Sequence, residues 1–472
     1  MNKARLVHPG FWFGKTPLAE AISLAKRGVG GFCLYGGTCE EIIRFVQTVR
    51  SHSLRPDLLI SADYEDGLGR WVSDAPLLPS NLALGAANDP ELAFEKGLLT
   101  ALQARSLGVD WVFAPVLDLA NNALNPIVNT RAFGATAQQV IPLASAFLDG
   151  LKKGGALNSL KHFPGHGDTT TDSHLALPVL QKNLAQLKNL ELKPFQALLS
   201  KADSVMTGHL FLPSVDADFP ASLSSVITTQ LLRKELNYQG CILTDALLMK
   251  AIGNEKQAAI QALVAGADIL LVPENPHALI DYLEACTLPP ETLAHSEQIQ
   301  NHLCARAQQM PRPSLQEAFA PQQLNLHTAQ KALVQTGTWI PLQPGETVTY
   351  LEIGNSTAIS AMPFLQTLQK SGIRVKKFPY KSQKLLILCF RRYQAFQGKI
   401  KLEEKEQDFL RQASRQFHTT ASILLASPWA LQNVLETTAS LYTFSPAPEF
   451  QAQAARILCG LEKAVGSFPV SL

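Results

Sequence analysis

Eight short apolar runs, separated by polar loops and amphipathic stretches, constrain the fold of this chain more than any other feature. They are ARLVHPG (4–10), GGFCLYGG (30–37), LLISAD (58–63), WVFAPVLD (111–118), ALNSLKHF (156–163), SVMTGH (204–209), CILTDA (241–246) and DILLVPE (268–274). Eight strands alternating with helices over roughly 250 residues are what a (β/α)8 barrel needs. A doubly wound open sheet uses the same alternation, so count and length decide between them. The stretches between the runs have helical period. ELAFEKGLLTALQARSLG (91–108) places apolar residues every three or four positions and stops at Gly108, and TTQLLRKELNYQG (228–240) starts at Thr228 and stops at Gly240.

Residues 1–285 are therefore expected to form a TIM (β/α)8 barrel. Proline-rich breaks at LPPETL and QQMPRPSL mark a helical connection over 286–345. A second series follows with strand-like runs at 347–354, 372–378, 384–390, 421–427 and 440–444, and helical stretches at 401–417 and 448–465. It predicts a smaller α/β sandwich domain over 346–472 with a largely parallel sheet. EIGNSTA in that domain has neither spacing of a phosphate-binding loop.

Composition narrows the partners. With 41 Lys and Arg against 39 Asp and Glu, and no basic run interleaved with aromatics, nucleic acid is not an expected partner. No apolar stretch has the length of a signal peptide core or a membrane span, so a cytoplasmic protein without membrane contact is expected. Seven scattered cysteines without CxxC spacing read as reduced core residues.

In a barrel the catalytic groups sit where strands end and βα loops open. Those positions hold Asp63, Asp118, Lys161 with His162, His209 and Asp245. Singly, each could cap a helix or a turn; several ionisable groups at one mouth make a cleft where pKa values are tuned. The fifth run leads into KHFPGHGDTTTDSHLALP (161–178). Pro164 and Gly165 forbid a helix there, so His162 and His166 are not a helical metal-binding pair. A metal site and a plain polar loop both remain as lesser readings. Asp172 and His174, two residues apart in an extended loop, can point the same way, the carboxylate fixing the imidazole tautomer. The pair is a candidate general acid/base. Ser173 lies between them, and no GxSxG elbow occurs.

KHFPGHGDTTTDSH resembles the signature of glycoside hydrolase family 3, in its bacterial β-N-acetylglucosaminidase branch. WVFAPVLDLANN, NTRAFGA, SVMTGHL and PASLSSVITTQLLRKELNYQGCILTDALLM are similar to further family blocks, in the family's order, and the C-terminal stretch resembles the close of its second domain. The resemblance implies Asp245 as nucleophile, forming a covalent glycosyl-enzyme intermediate with retention, and His174 oriented by Asp172 as acid and then base. It implies sugar contacts from Asp63, Arg131, Lys161 and His162, and assigns Arg70 and His209 to the substrate side. It implies a monomeric enzyme without cofactor or metal, releasing terminal N-acetylglucosamine from a small glycan or muropeptide, N-acetylglucosaminyl-1,6-anhydro-N-acetylmuramic acid, in peptidoglycan recycling.

Two departures stand out. DYEDGLGRW has Asp66 where the family motif usually has glycine, and Arg70 comes one residue early; Ala246 replaces a second aspartate after Asp245. The same site could pass the sugar to phosphate instead of water, since histidine does not repel phosphate. The altered loop also admits a sugar-binding protein that has lost activity.

Overall fold

The computed structural model describes residues 2–173, 175–354, 359–391 and 400–472. All eight N-terminal runs contain strand. The first splits around Pro9 into β1 (Val7–His8) and β2 (Gly10–Trp12). The rest are β3 (Gly31–Tyr35), β4 (Leu59–Ala62), β5 (Trp111–Val112), β6 (Ser159–Phe163), β7 (Ser204–Thr207), β8 (Cys241–Thr244) and β9 (Leu270–Leu271).

Three parallel sheets result, β2-β3-β4-β5, β6-β7-β8 and β1-β9. Isolated parallel bridges join them, Trp111 to Leu157 and Val116 to Lys161 on one side, Leu243 to Ile269 on the other. The Val7 carbonyl accepts from Gly30 N at 3.2 Å, beside β3. Side chains alternate along the strands as a period of two requires. Phe32, Leu34, Ile60, Val205 and Ile242 pack in one apolar cluster, whereas Cys33, Leu59, Met206, Cys241 and Leu243 pack in another. Each strand is thus buried on both faces, which explains runs of continuous rather than alternating hydrophobicity.

Helices cover the outer face. Asp89 caps the helix Pro90–Ser106, its side chain accepting from Glu91 N, with Pro90 at the first position. That helix packs against Ala137–Gly154 with backbones close together: a Cβ at Gly97 would lie 2.2 Å from the Phe147 carbonyl oxygen. Residues 228–240 do contain a helix, Val226–Glu235, but one of π type. Its Thr229 hydroxyl donates sideways to the Ala265 carbonyl at 2.7 Å. Among the described residues no helix is long and apolar enough to cross a membrane.

The connection binds the end of the sheets opposite the candidate site. Asp110, just before β5, accepts from Arg50 and Arg105 at 2.6 Å and from Arg312 of the connection at 2.7 Å. Within 286–345 the structure adds a strand that helical reading does not foresee, β10 (Val334–Gly337). The second sheet continues with β11 (Thr347–Ile353), β12 (Arg374–Lys377), β13 (Lys384–Cys389), β14 (Thr419–Leu424) and β15 (Ala439–Tyr442), in the order β10-β15-β14-β13-β11-β12. All pairs are parallel except β10 with β15.

The two halves share a core. Leu82, Ala83 and Ala86 of the helix Asn81–Ala87 pack in one cluster with Phe364, Leu386 and Phe450 of the second sheet's layer. Polar contacts line the seam: Asn129 Nδ2 donates to Ser427 Oγ at 3.0 Å, and Ser80 Oγ to the Phe444 carbonyl at 2.8 Å.

Candidate active site

Four charged side chains meet at the carboxyl ends of β4 and β6. Lys161 Nζ donates to Asp63 Oδ1 at 2.7 Å and to Glu65 Oε2 at 3.2 Å, and Arg131 Nε donates to Glu65 Oε1 at 2.8 Å. The Lys161 and Glu65 side chains are 1% and 3% exposed, that of Asp63 24%, so Asp63 is the member that reaches solvent. Burial alone would raise the Glu65 carboxyl, but the charges of Lys161, Arg131 and Arg70 hold it far below its usual range. Burial likewise opposes the Lys161 charge, and Asp63 and Glu65 overcome it, raising the ammonium above its ordinary value. The Glu65 carboxylate and the Lys161 ammonium thus hold each other charged at neutral pH.

A second set stands beside it. Asp118 is wholly buried; its Oδ2 lies 2.6 Å from His162 Nδ1 and its Oδ1 accepts from His166 N at 2.6 Å. Against burial, His162 and these hydrogen bonds hold Asp118 below its usual value. His166 is buried too, and desolvation pushes it down to about 4, so its ring is neutral at pH 7. Its Nδ1 is 2.8 Å from Thr169 Oγ1 and its Nε2 3.4 Å from Ser173 Oγ.

The loop 164–169 is held from two sides. Asn125 Nδ2 donates to the carbonyls of His166 and Gly167 at 2.8 and 3.0 Å. Lys182 pairs with Asp168 Oδ2 at 2.8 Å and also with the buried Glu191. Gly167 lies so close to the neighbouring strand end that a Cβ would sit 1.8 Å from the Leu119 carbonyl oxygen. Farther along, Asp172 is buried, its carbonyl accepting from Leu175 and Ala176 N. His174 lies outside the described residues.

Asp245 directly follows β8 and is half-buried, its N–H bonded to the Thr207 carbonyl at 2.9 Å. Its Oδ1 accepts from Ala246 N at 2.8 Å. The Tyr35 phenol is raised well above its usual value by desolvation first, with contributions from Asp63 and Asp245, so both carboxylates act on one ring. Tyr35 stacks on Trp12, centroids 4.9 Å apart, and meets Trp71 edge-on at 5.3 Å. An aromatic wall thus borders the carboxylates.

Two further residues expected on the substrate side are held by protein partners. His209 has no exposed surface; its Nδ1 is 2.7 Å from Ser222 Oγ and its Nε2 3.1 Å from the Ala246 carbonyl. It braces the turn after Asp245. Arg70 Nη1 lies 3.7 Å from Asp66 Oδ2, both side chains being mostly buried. Sequence reasoning overlooked Glu65. The available signal was its spacing: two residues after Asp63 in an extended segment, it projects to the same side. Among the described residues no group of three His, Cys, Asp or Glu side chains could hold a metal ion.

The model of the glycosyl hydrolase family 3 N-terminal domain matches residues 5–301. A β-hexosaminidase of Idiomarina loihiensis is 33% identical over 56% of this chain and 82% of its own length. One from Nitrosospira multiformis is 36% identical over 53% of this chain and 75% of its own. The structure of a family 3 β-N-acetylglucosaminidase from Paenibacillus sp. str. FPU-7 superposes with a TM-score of 0.88 at 25% identity, covering 100% of this chain and 98% of that one. On that match, and on relatives above 30% identity, the chain belongs to glycosyl hydrolase family 3.

Proposed function

We propose that this chain is a retaining β-N-acetylglucosaminidase that removes terminal non-reducing N-acetylglucosamine. The observation that carries the reading is the Asp63–Lys161–Glu65–Arg131 ion-pair cluster at the strand ends, in a chain whose relatives are named β-hexosaminidases. Charged hydrogen bonds of this kind suit sugar hydroxyls and strengthen as the ring distorts. Asp63, Arg131, Lys161 and His162 hold the sugar, with Arg70 behind them. The Asp245 carboxylate attacks the anomeric carbon, breaking the glycosidic bond and forming a glycosyl-aspartate. His174, oriented by Asp172, gives its proton to the leaving oxygen, then takes one from the water that hydrolyses the intermediate. His209 supports the turn after Asp245.

On this reading the bridged sheets of residues 1–285 form one closed (β/α)8 barrel, 286–345 connects, and 346–472 is the sandwich domain. The proposed substrate is N-acetylglucosaminyl-1,6-anhydro-N-acetylmuramic acid or its peptides, in peptidoglycan recycling in the cytoplasm.

An aryl β-N-acetylglucosaminide tests the chemistry. Asp245→Ala abolishes chromophore release, and His174→Ala slows poor leaving groups far more than good ones. Equal loss on both would remove His174 from the role of acid. Proton NMR of the first-formed anomer, on a 1,6-anhydromuropeptide beside chitobiose, tests retention and substrate together; an inverted anomer defeats the covalent route.

A further inference from the structure

Beneath the sugar-facing cluster lies a charged layer that the reaction does not use. Lys96, on the helix Pro90–Ser106, is wholly buried. Its Nζ donates to Asn81 Oδ1 at 2.6 Å, lies 3.8 Å from Asp66 Oδ1 and 5.8 Å from the Phe147 ring centroid. A cation taken out of water is costly unless paired. Here both polar neighbours lead on to arginines. Asn81 Nδ2 donates to the Arg131 carbonyl at 2.7 Å. The second Asp66 oxygen faces Arg70 Nη1 at 3.7 Å. Asp66 Oδ1 is buried and accepts no hydrogen bond, so the Lys96 charge balances it on that side.

The two branches start from one ammonium. Through Asn81 it fixes the backbone of the turn that presents Arg131; through Asp66 it restrains the Arg70 guanidinium. Asp66 replaces the glycine usual at this point of the motif, and a carboxylate there is tolerable because a counter-charge lies behind it.

We propose that Lys96 and Asp66 act as one buried ion pair that positions Arg131 and Arg70 for substrate binding, making Lys96 a positioning residue for affinity. The proposal rests on the reading that these arginines serve the sugar site. Neither residue of the pair is placed at the reacting atoms, so its loss alters KM and spares kcat.

A double-mutant cycle on the aryl N-acetylglucosaminide reads it. Lys96→Met strands the Asp66 carboxylate, and Asp66→Asn strands the ammonium; each single change raises KM about tenfold with kcat nearly constant, and the double variant recovers most of the loss. Singles without effect on KM, or additive losses in the double, overturn the proposal. A pH profile of the wild-type enzyme needs no variant to fold. Burial pushes Lys96 down to about 8, against the pull of Asp66 and Glu65, the charged groups acting on it. KM therefore climbs above that pH while kcat stays level, and a KM flat to pH 10 overturns the proposal as well. A wild-type enzyme without glycosidase activity refutes the sugar-site reading itself, whereas an active one indifferent to the pair refutes only the positioning role.

Discussion

Replacing Glu65 by glutamine removes a carboxylate that bonds both Lys161 and Arg131. The native carboxylate offers an oxygen to Arg131 Nε at 2.8 Å and another to Lys161 Nζ at 3.2 Å. A glutamine amide has one acceptor and one donor end, so in either orientation a cation meets an N–H. Lys161 keeps Asp63 at 2.7 Å, and Arg131 loses its contact with a Glu65 carboxylate oxygen. One charge-assisted hydrogen bond is worth about 1.5–3 kcal/mol, and breaking a buried pair by removing one partner costs about 3–5 kcal/mol. Taking the lower figure of about 3 kcal/mol, and an unfolding entropy of about 2.1 cal/mol/K per residue, Glu65→Gln lowers the melting temperature by roughly 3–5 °C. Calorimetry at pH 7 measures this.

The pH dependence has a definite sign. The folded Glu65 carboxyl lies below its unfolded value, so its stabilisation is complete above that value and fades as pH falls toward the folded one. The gap between wild type and variant must narrow in acid below about pH 4.5. A shift under about 2 °C at pH 7, or a gap that widens in acid, would refute the account of the cluster.

Three further outcomes are expected. Burial pushes His8 down to about 3 and His166 to about 4, both below the ordinary histidine value, so both are protonated more readily when unfolded. Stability is complete above about pH 6.5 and falls toward pH 4 with a slope of nearly two protons, measured as urea midpoints; a midpoint constant from pH 7 to 4 contradicts this. Gly167→Ala drives a methyl group into the Leu119 carbonyl and displaces the loop proposed to lead into the acid/base pair, so turnover of poor leaving groups drops more than that of good ones; unaltered kinetics would count against the loop's placement. Ser427→Ala removes the acceptor for Asn129 Nδ2 two residues before Arg131, raising KM about threefold to tenfold without changing kcat, and an unchanged KM would detach the second sheet from the site.

The strands were legible because both faces are buried, which leaves unbroken runs such as CILT and KLLILC. β10 was not: in VQTG only Val334 is buried, as befits a short edge strand between a helix and a turn. The strand-end rule picks out Asp63, Lys161, Asp245 and His209 alike but gives no direction: Asp63 reaches solvent, whereas the His209 ring turns into the protein toward Ser222. Asp66 looked like a defect in a motif because its counter-charge, Lys96, lies thirty residues on in an unremarkable helical stretch. Pairing between elements is the information that a one-dimensional pattern lacks.

The antiparallel edge of the second sheet bears on how the chain is made. Val334 of β10 pairs with Tyr442 of β15, so the first strand of this sheet to be made must await one made more than a hundred residues later. At about 5–20 residues per second, the ribosome leaves β10 without that partner for roughly 5–20 s. Over the same interval Leu82, Ala83 and Ala86, synthesised much earlier, lack the C-terminal layer that covers them in the finished protein. A nascent chain of this design presents a sticky face until β15 and the helix after it have emerged, so a chaperone that covers apolar surface is expected to raise its yield.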